Sequence, residues 1–371
     1  MSITILGIGT ATPQRQIAQT DAATLATGFA NVEPGRERTL AAIYRQTRIR
    51  TRGSVLLEEP AKQAFAQSFY PPAIDADDSG PSTAARMARY QALAGGLATT
   101  AARSALASAL VSPEDITHLV TCSCTGFANP GVDLELVQVL GLSATVARTH
   151  VGFMGCHGAF NALRVADAFA TADSTNVVLV VCVELCSLHF QYGSRSDHVV
   201  ANSIFADGAG AVVGVGPGHP RGAEPGAWRL VAQASRVLAD SADQMGWQIG
   251  DNGFEMSLSA QVPGTIGRDI GQFVEAALGR QCLALGDVRS WAVHPGGPRV
   301  LASVQEALGL PPAALEVSHA VLAEHGNMSS ATILFILERL IQEAAAPCVA
   351  MAFGPGLTAE LAVLDQPSHD C

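Results

Sequence analysis

Short runs of β-branched residues alternate along the chain with longer Ala- and Leu-rich stretches whose apolar positions recur at helical spacing. The pattern predicts strands at Thr4–Ile8, His118–Cys122, Asn176–Val183, Ala209–Val215, Ser290–Val293 and Cys348–Phe353. It predicts helices at Thr83–Leu110, Leu134–Leu140, His157–Thr171, Val262–Leu278, Arg299–Leu308 and Ser330–Glu343. The strand runs are nearly continuous in apolar residues rather than alternating, so the expected class is α/β with sheets covered on both faces. A Gly/Pro-rich stretch from Val215 to Gly226 reads as a surface connection between two halves, 1–220 and 221–371. Each half contains an apolar strand running into a polar, glycine-bearing loop, at Cys156 and at His294. That hints at a duplicated unit, although no strict sequence repeat is visible.

Composition narrows the setting. The 371 residues suit two packed modules, and 48% hydrophobic with only 15% charged residues excludes disorder. A formal net charge of −11 opposes binding to nucleic acid or anionic membranes, so an anionic ligand would need a local basic patch. The densest basic stretch is Arg45-Gln-Thr-Arg48-Ile-Arg50-Thr-Arg52. The first cationic side chain is Arg15, which gives no secretion signal, and the longest apolar run, Val177 to Val183, stops at Glu184. That run is far below the roughly 20 residues needed to cross a bilayer. The eight cysteines form no C-x-x-C pair and are too dilute for a disulfide scaffold, so a reducing cytoplasm is the expected location, with no integral membrane association.

Three loops carry candidate chemistry. In Val151-Gly-Phe-Met-Gly-Cys156-His-Gly-Ala, a cysteine sits between glycines directly ahead of a predicted helix. The positive end of a helix dipole favours the thiolate, the nucleophilic form. In Ala292-Val-His294-Pro-Gly-Gly-Pro, a histidine stands where a strand ends, the position at which open α/β sheets collect functional side chains. In His325-Gly-Asn327-Met-Ser-Ser, an asparagine precedes a strongly apolar helix. Taken singly, these are a core thiol, a solvated loop histidine and a turn asparagine; a cysteine nucleophile, however, needs partners from distant positions.

Taken together with three further motifs, the loops resemble the type III polyketide synthases, the chalcone synthase-like branch of the thiolase superfamily. The motifs are Gly7-Ile-Gly-Thr-Ala-Thr-Pro13, Phe205-Ala-Asp-Gly-Ala-Gly-Ala211 and Gly354-Pro-Gly-Leu-Thr-Ala-Glu360. The resemblance implies a thiolase-like five-layered αβαβα fold, with a nucleophile-bearing half and a half carrying the other two catalytic residues, usually as a homodimer. It implies that Cys156 carries the acyl chain from an acyl-CoA starter. His294 and Asn327 would then stabilise the enolate of malonyl-CoA as it loses CO₂, with His294 also pairing with the thiolate. No metal or redox cofactor is implied, the CoA thioesters being substrates.

The same resemblance puts Phe205 at a gate between CoA tunnel and cavity, with Met256 at the second gate position. Thr125, Cys124, Cys186, His189, Trp247 and Ser329 fall at or beside cavity-lining positions, with Met328 next to them. Cys124, Cys186, His189 and Trp247 depart from chalcone synthases and bring the chain closer to bacterial alkylresorcinol and alkylpyrone synthases, whose starter is a fatty acyl-CoA. Arg48 belongs to the stretch expected to meet the CoA phosphates, whereas Thr39, Ala42 and Gln46 occupy the family's usual basic positions. The alternatives are a β-ketoacyl-acyl-carrier-protein synthase III-like single condensing enzyme, a cysteine hydrolase, and a non-catalytic acyl-CoA-binding protein of the same fold.

Overall fold

The structure, a computed structural model, describes residues 2–29, 35–58, 67–224, 226–343 and 346–366. Cys371 and Pro225 of the sequence analysis lie outside the described residues. The strands are β1 (Thr4–Ala11), β2 (Gln16–Ala18), β3 (Thr51–Gly53), β4 (His118–Ser123), β5 (Ala147–Gly152), β6 (Val177–Leu185), β7 (Asp207–Val215), β8 (Trp228–Val237), β9 (Met245–Gly250), β10 (Gly253–Leu258), β11 (Ser290–Val293), β12 (Cys348–Gly354) and β13 (Thr358–Asp365). The helices are α1 (Gln19–Phe29), α2 (Glu37–Gln46), α3 (Thr83–Ala109), α4 (Val132–Leu140), α5 (Gly158–Ala172), α6 (Ser196–Ile204), α7 (Val262–Gly279), α8 (Pro298–Ala307), α9 (Glu316–His325) and α10 (Thr332–Gln342).

Nine strands form one sheet in the order β11-β12-β13-β8-β1-β7-β6-β4-β5. It is two copies of one pattern joined head to head. In the first, β4 and β6 are parallel, and β6, β7 and β1 follow antiparallel; in the second, β11 and β12 are parallel, and β12, β13 and β8 follow antiparallel. The copies meet only where Thr4 and Ile5 pair with Arg229 and Trp228. The duplicated unit is therefore present in the backbone without a sequence repeat.

Alternate residues of the buried strands serve different layers. On β6, Val178, Val180 and Cys182 pack inward with α5 and α10, whereas Val177, Leu179 and Val181 pack outward with α3. On β12, Cys348, Ala350 and Ala352 join the inner cluster, while Val349, Met351 and Phe353 face α7 and α8. Helices therefore lie outside each half-sheet and between them, giving the five layers of the thiolase-like fold. Ser82 caps α3 by accepting the Ala85 N–H, worth about 1 kcal/mol. The helix lies so close to β1 that a Cβ at Gly7 or Gly9 would meet its backbone at 2.5 and 2.2 Å, which explains the Gly-Ile-Gly of the N-terminal motif. Among the described residues no helix is long and apolar enough to cross a membrane.

Candidate active site

Cys156 lies in the turn between β5 and α5, at the start of the inner helix layer. Gly155 has φ +80°, and a Cβ there would stand 2.4 Å from Pro355 Cδ, so only glycine fits against the β12–β13 turn. On its other side the Gly155 N–H donates to Cys124 Sγ at 2.9 Å. The turn that presents Cys156 is thus held from both flanks.

The second half supplies the two remaining side chains. His294 follows β11 directly, and its N–H donates to Met351 O at 2.8 Å, extending the ladder by one step. Asn327 sits between α9 and α10, where it exchanges backbone bonds with the residues flanking Phe205: Asn327 N–H to Ile204 O and Ala206 N–H to Asn327 O, both 2.8 Å. Its side-chain oxygen accepts the Ser329 N–H at 2.8 Å, which leaves the amide NH₂ as the group free to donate. Cys156, His294 and Asn327 all line one cavity of about 470 Å³, together with Phe205 and Met256.

Burial sets the charge state of this trio. It pushes the Cys156 thiol up to about 12, against hydrogen bonds from Ser329, Asn327 and its own N–H that favour the thiolate. It pulls His294 down to about 3, and neither ring nitrogen has a partner among the described residues. Burial thus opposes the charged form of both groups. Desolvation is the largest of the contributions at Cys156.

A second, tighter space of about 20 Å³ lies on the other side of Cys156, lined by Cys124, Thr125, Cys186, Phe205, Trp247, Met256 and Ser329 among others. The Trp247 indole lines it and donates to Cys124 O at 2.8 Å. His189 lines not this space but a third, apolar cavity of about 120 Å³, bordered also by Cys186, Phe205, Trp247 and Met256 and extending to Phe29 and Tyr44. The His189 Nε2–H donates to Thr125 O at 2.7 Å and Nδ1 accepts the Phe254 N–H at 2.9 Å, fixing a neutral tautomer in a ring stacked 4.2 Å from Phe254. Met328 faces away, fully buried against Gly208.

Arg48 is exposed after α2 and lines none of these cavities. The helix turns Ile43, Gln46 and Thr47 towards the main cavity, while Arg50 pairs with Glu324 at 3.3 Å. The cation at the cavity wall is Arg299, at the start of α8, which sequence reasoning passed over. It also passed over Glu184, noted only as the end of an apolar run. That carboxylate is fully buried and accepts from Cys124 N–H at 2.9 Å, Thr125 Oγ1 at 2.8 Å and Ser330 Oγ at 2.5 Å, tying the β4 loop to the Asn327 loop. A lone acid closing a valine-rich strand was the available signal.

Comparison with known proteins gives a consistent picture. Residues 2–218 match the family of chalcone and stilbene synthases, N-terminal domain, and residues 229–366 the corresponding C-terminal domain. The chain is 33% identical over 366 residues, covering 97% of itself and 90% of its counterpart, to the alpha-pyrone synthesis polyketide synthase-like Pks18 of Mycobacterium tuberculosis. It is 32% identical over 370 residues to a 1,3,6,8-tetrahydroxynaphthalene synthase of Streptomyces peucetius subsp. caesius, covering 97% and 92%. The crystal structure of PKS-I from the brown alga Ectocarpus siliculosus superposes with a TM-score of 0.91 at 32% identity, covering 99% of this chain and 98% of that one.

Proposed function

The chain belongs to the chalcone and stilbene synthase family of type III polyketide synthases, and from that premise we propose that it extends a fatty acyl-CoA starter with malonyl-CoA and cyclises the product to an alkylpyrone or alkylresorcinol. The observation that carries the reading is the convergence of Cys156, His294 and Asn327 on one cavity of about 470 Å³. The Cys156 sulfur attacks the acyl-CoA carbonyl and expels CoA thiolate, which takes up the proton that the Cys156 thiol gives up. Malonyl-CoA then loses CO₂. Negative charge develops on its thioester oxygen, where the unpartnered His294 ring and the Asn327 NH₂ are the available donors. The enolate carbon attacks the Cys156 thioester, the sulfur leaves, and the lengthened CoA ester reloads for another round.

Support for a long starter comes from the space on the far side of Cys156. The tight 20 Å³ space is too small for a fatty tail, but it shares Cys186, Phe205, Trp247 and Met256 with the apolar 120 Å³ cavity beyond. Displacement of the Trp247 indole joins the two. The pyrone outcome is the one described by the name of the mycobacterial relative. Arg299 supplies positive charge for the CoA phosphates. The reading includes a homodimer, supported by the outer edge of β5 and the exposed Phe127 and Met154 near it.

A mass-spectrometric product assay tests this, with malonyl-CoA and starters from acetyl- to palmitoyl-CoA and the Cys156→Ala variant as control. Tri- or tetraketide pyrones or resorcinols from long starters, absent from the variant, are expected. Loading of Cys156 followed by a single condensation would favour the one-step condensing enzyme, and full product from the variant would end the assignment.

A further inference from the structure

His157, next to the nucleophile, is 3% exposed and takes no part in the chemistry above. Its two ring nitrogens are both engaged. Nδ1 lies 2.8 Å from Asn161 Oδ1, one turn along α5, and Nε2 lies 2.6 Å from Thr358 Oγ1 on β13. The network determines who donates. Glu360 is a buried carboxylate paired with Arg164 at 2.5 Å and can only accept, so the Asn161 NH₂ faces it at 3.4 Å and the Asn161 oxygen faces the imidazole. His157 therefore carries its proton on Nδ1, and the Thr358 hydroxyl donates to Nε2. Burial holds the ring below its ordinary pKa, consistent with this neutral form.

The bond to Thr358 ties His157 to the turn that bears on the nucleophile. Pro355 O lies 3.2 Å from the same oxygen, whose single proton goes to Nε2, so packing holds the turn: a Cβ on Gly354 would meet His157 Cδ2 at 2.3 Å, and Pro355 is the residue packed against Gly155. One imidazole thus binds the start of α5 to the 354–358 turn that flanks Cys156.

We propose that His157 is a positioning residue for Cys156: by locking Thr358 and the Pro355 turn against Gly155, it holds the sulfur aimed into the cavity shared with His294 and Asn327. This rests on the reading of Cys156 as the nucleophile. His157→Phe keeps the volume without hydrogen bonds, Thr358→Val removes only the hydroxyl, and His157→Gln restores a polar end at the reach of Nε2. The rate of Cys156 alkylation by iodoacetamide, followed by peptide mass spectrometry, and kcat and KM for acyl-CoA are measured on each variant, with the melting temperature alongside. Misplacement of a reacting group costs roughly 10–10²-fold, so His157→Phe and Thr358→Val should each slow alkylation and kcat by that factor at unchanged KM. The double variant should be no slower than either single one, because both remove the same link, and His157→Gln should recover most of the rate. Wild-type alkylation in His157→Phe, or losses that multiply in the double variant, would overturn the proposal. Should His157→Phe not fold, Thr358→Val alone decides: a wild-type rate there has the same force. A wild-type enzyme that makes no polyketide while the alkylation pattern holds would sink the functional reading and leave the positioning role standing.

Discussion

The two half-sheets follow the same strand order, yet they treat the polar residues around the cavity of Cys156 in opposite ways. In the first half, β5 leads into Cys156 and α5, and the turn is fastened by Cys124, Pro355 and the His157 network. At the corresponding point of the second half no such strand precedes α10. The chain arrives instead from α9 and touches its neighbour through the single bridge between Asn327 and Phe205. There both buried nitrogens of His294 are without a partner among the described residues. Buried polar groups are nearly always satisfied, so such an exception calls for an external partner. One half builds a rigid mount, and the other leaves hydrogen-bonding capacity for the substrate to complete.

The largest effect that can break this contrast comes from Asn327→Ala. Loading of Cys156 should survive, whereas malonyl-CoA decarboxylation should fall by about 10²–10³, as on loss of one oxyanion donor. Equal losses in both steps, measured by acyl-enzyme mass and ¹⁴CO₂ release, would mean that the donor half also positions the nucleophile. A tenfold effect per pH unit comes next. With the thiol near 12 and His294 near 3, the thiolate fraction of the empty enzyme is set by hydroxide alone. Alkylation of Cys156 should therefore rise about tenfold per unit from pH 6 to 10 without levelling. A plateau above pH 6 would reveal a standing ion pair and a less open second half. The smallest effect is a shift in the starter profile. Met256 borders all three cavities, and Met256→Phe should move the preferred starter in the product assay to a shorter chain.

Much of the frame was legible from hydrophobic runs. The predicted strand at Ser290–Val293 is β11 to the residue, and the helix at Val262–Leu278 is α7 to within one. Such segments are buried on the side that their pattern indicates. Several missed elements are only partly buried, although β13, also missed, is buried from Ala359 to Leu364. β5 is mostly exposed along Ala-Arg-Thr-His, β9 and β10 pair only with each other, and α6 reads Ser-Asp-His-Val-Val-Ala-Asn-Ser-Ile, with no clear apolar stripe. In the site, Cys156, His294 and Asn327 stood out because glycine-rich turns flank them. Arg48 lines none of the three cavities, and a basic run says nothing about which face of α2 meets the cavity. His157 gave no signal of its own and Glu184 only that of a lone acid closing a valine-rich strand, since their roles arise from partners about 200 and 60 to 150 residues away.

The position of Trp247 gives the protein an internal light source at the wall of the small space beside Cys156. Of its three tryptophans, Trp228 and Trp291 are 4% exposed in the core. Trp247 alone borders the space beneath Cys156, its indole bonded to Cys124 O. An acyl tail that pushes the ring aside breaks that bond and changes the polarity around one fluorophore while the other two stay constant. On the proposed reading, occupancy of the cavity would be written into the emission colour of the unlabelled enzyme, turnover by turnover.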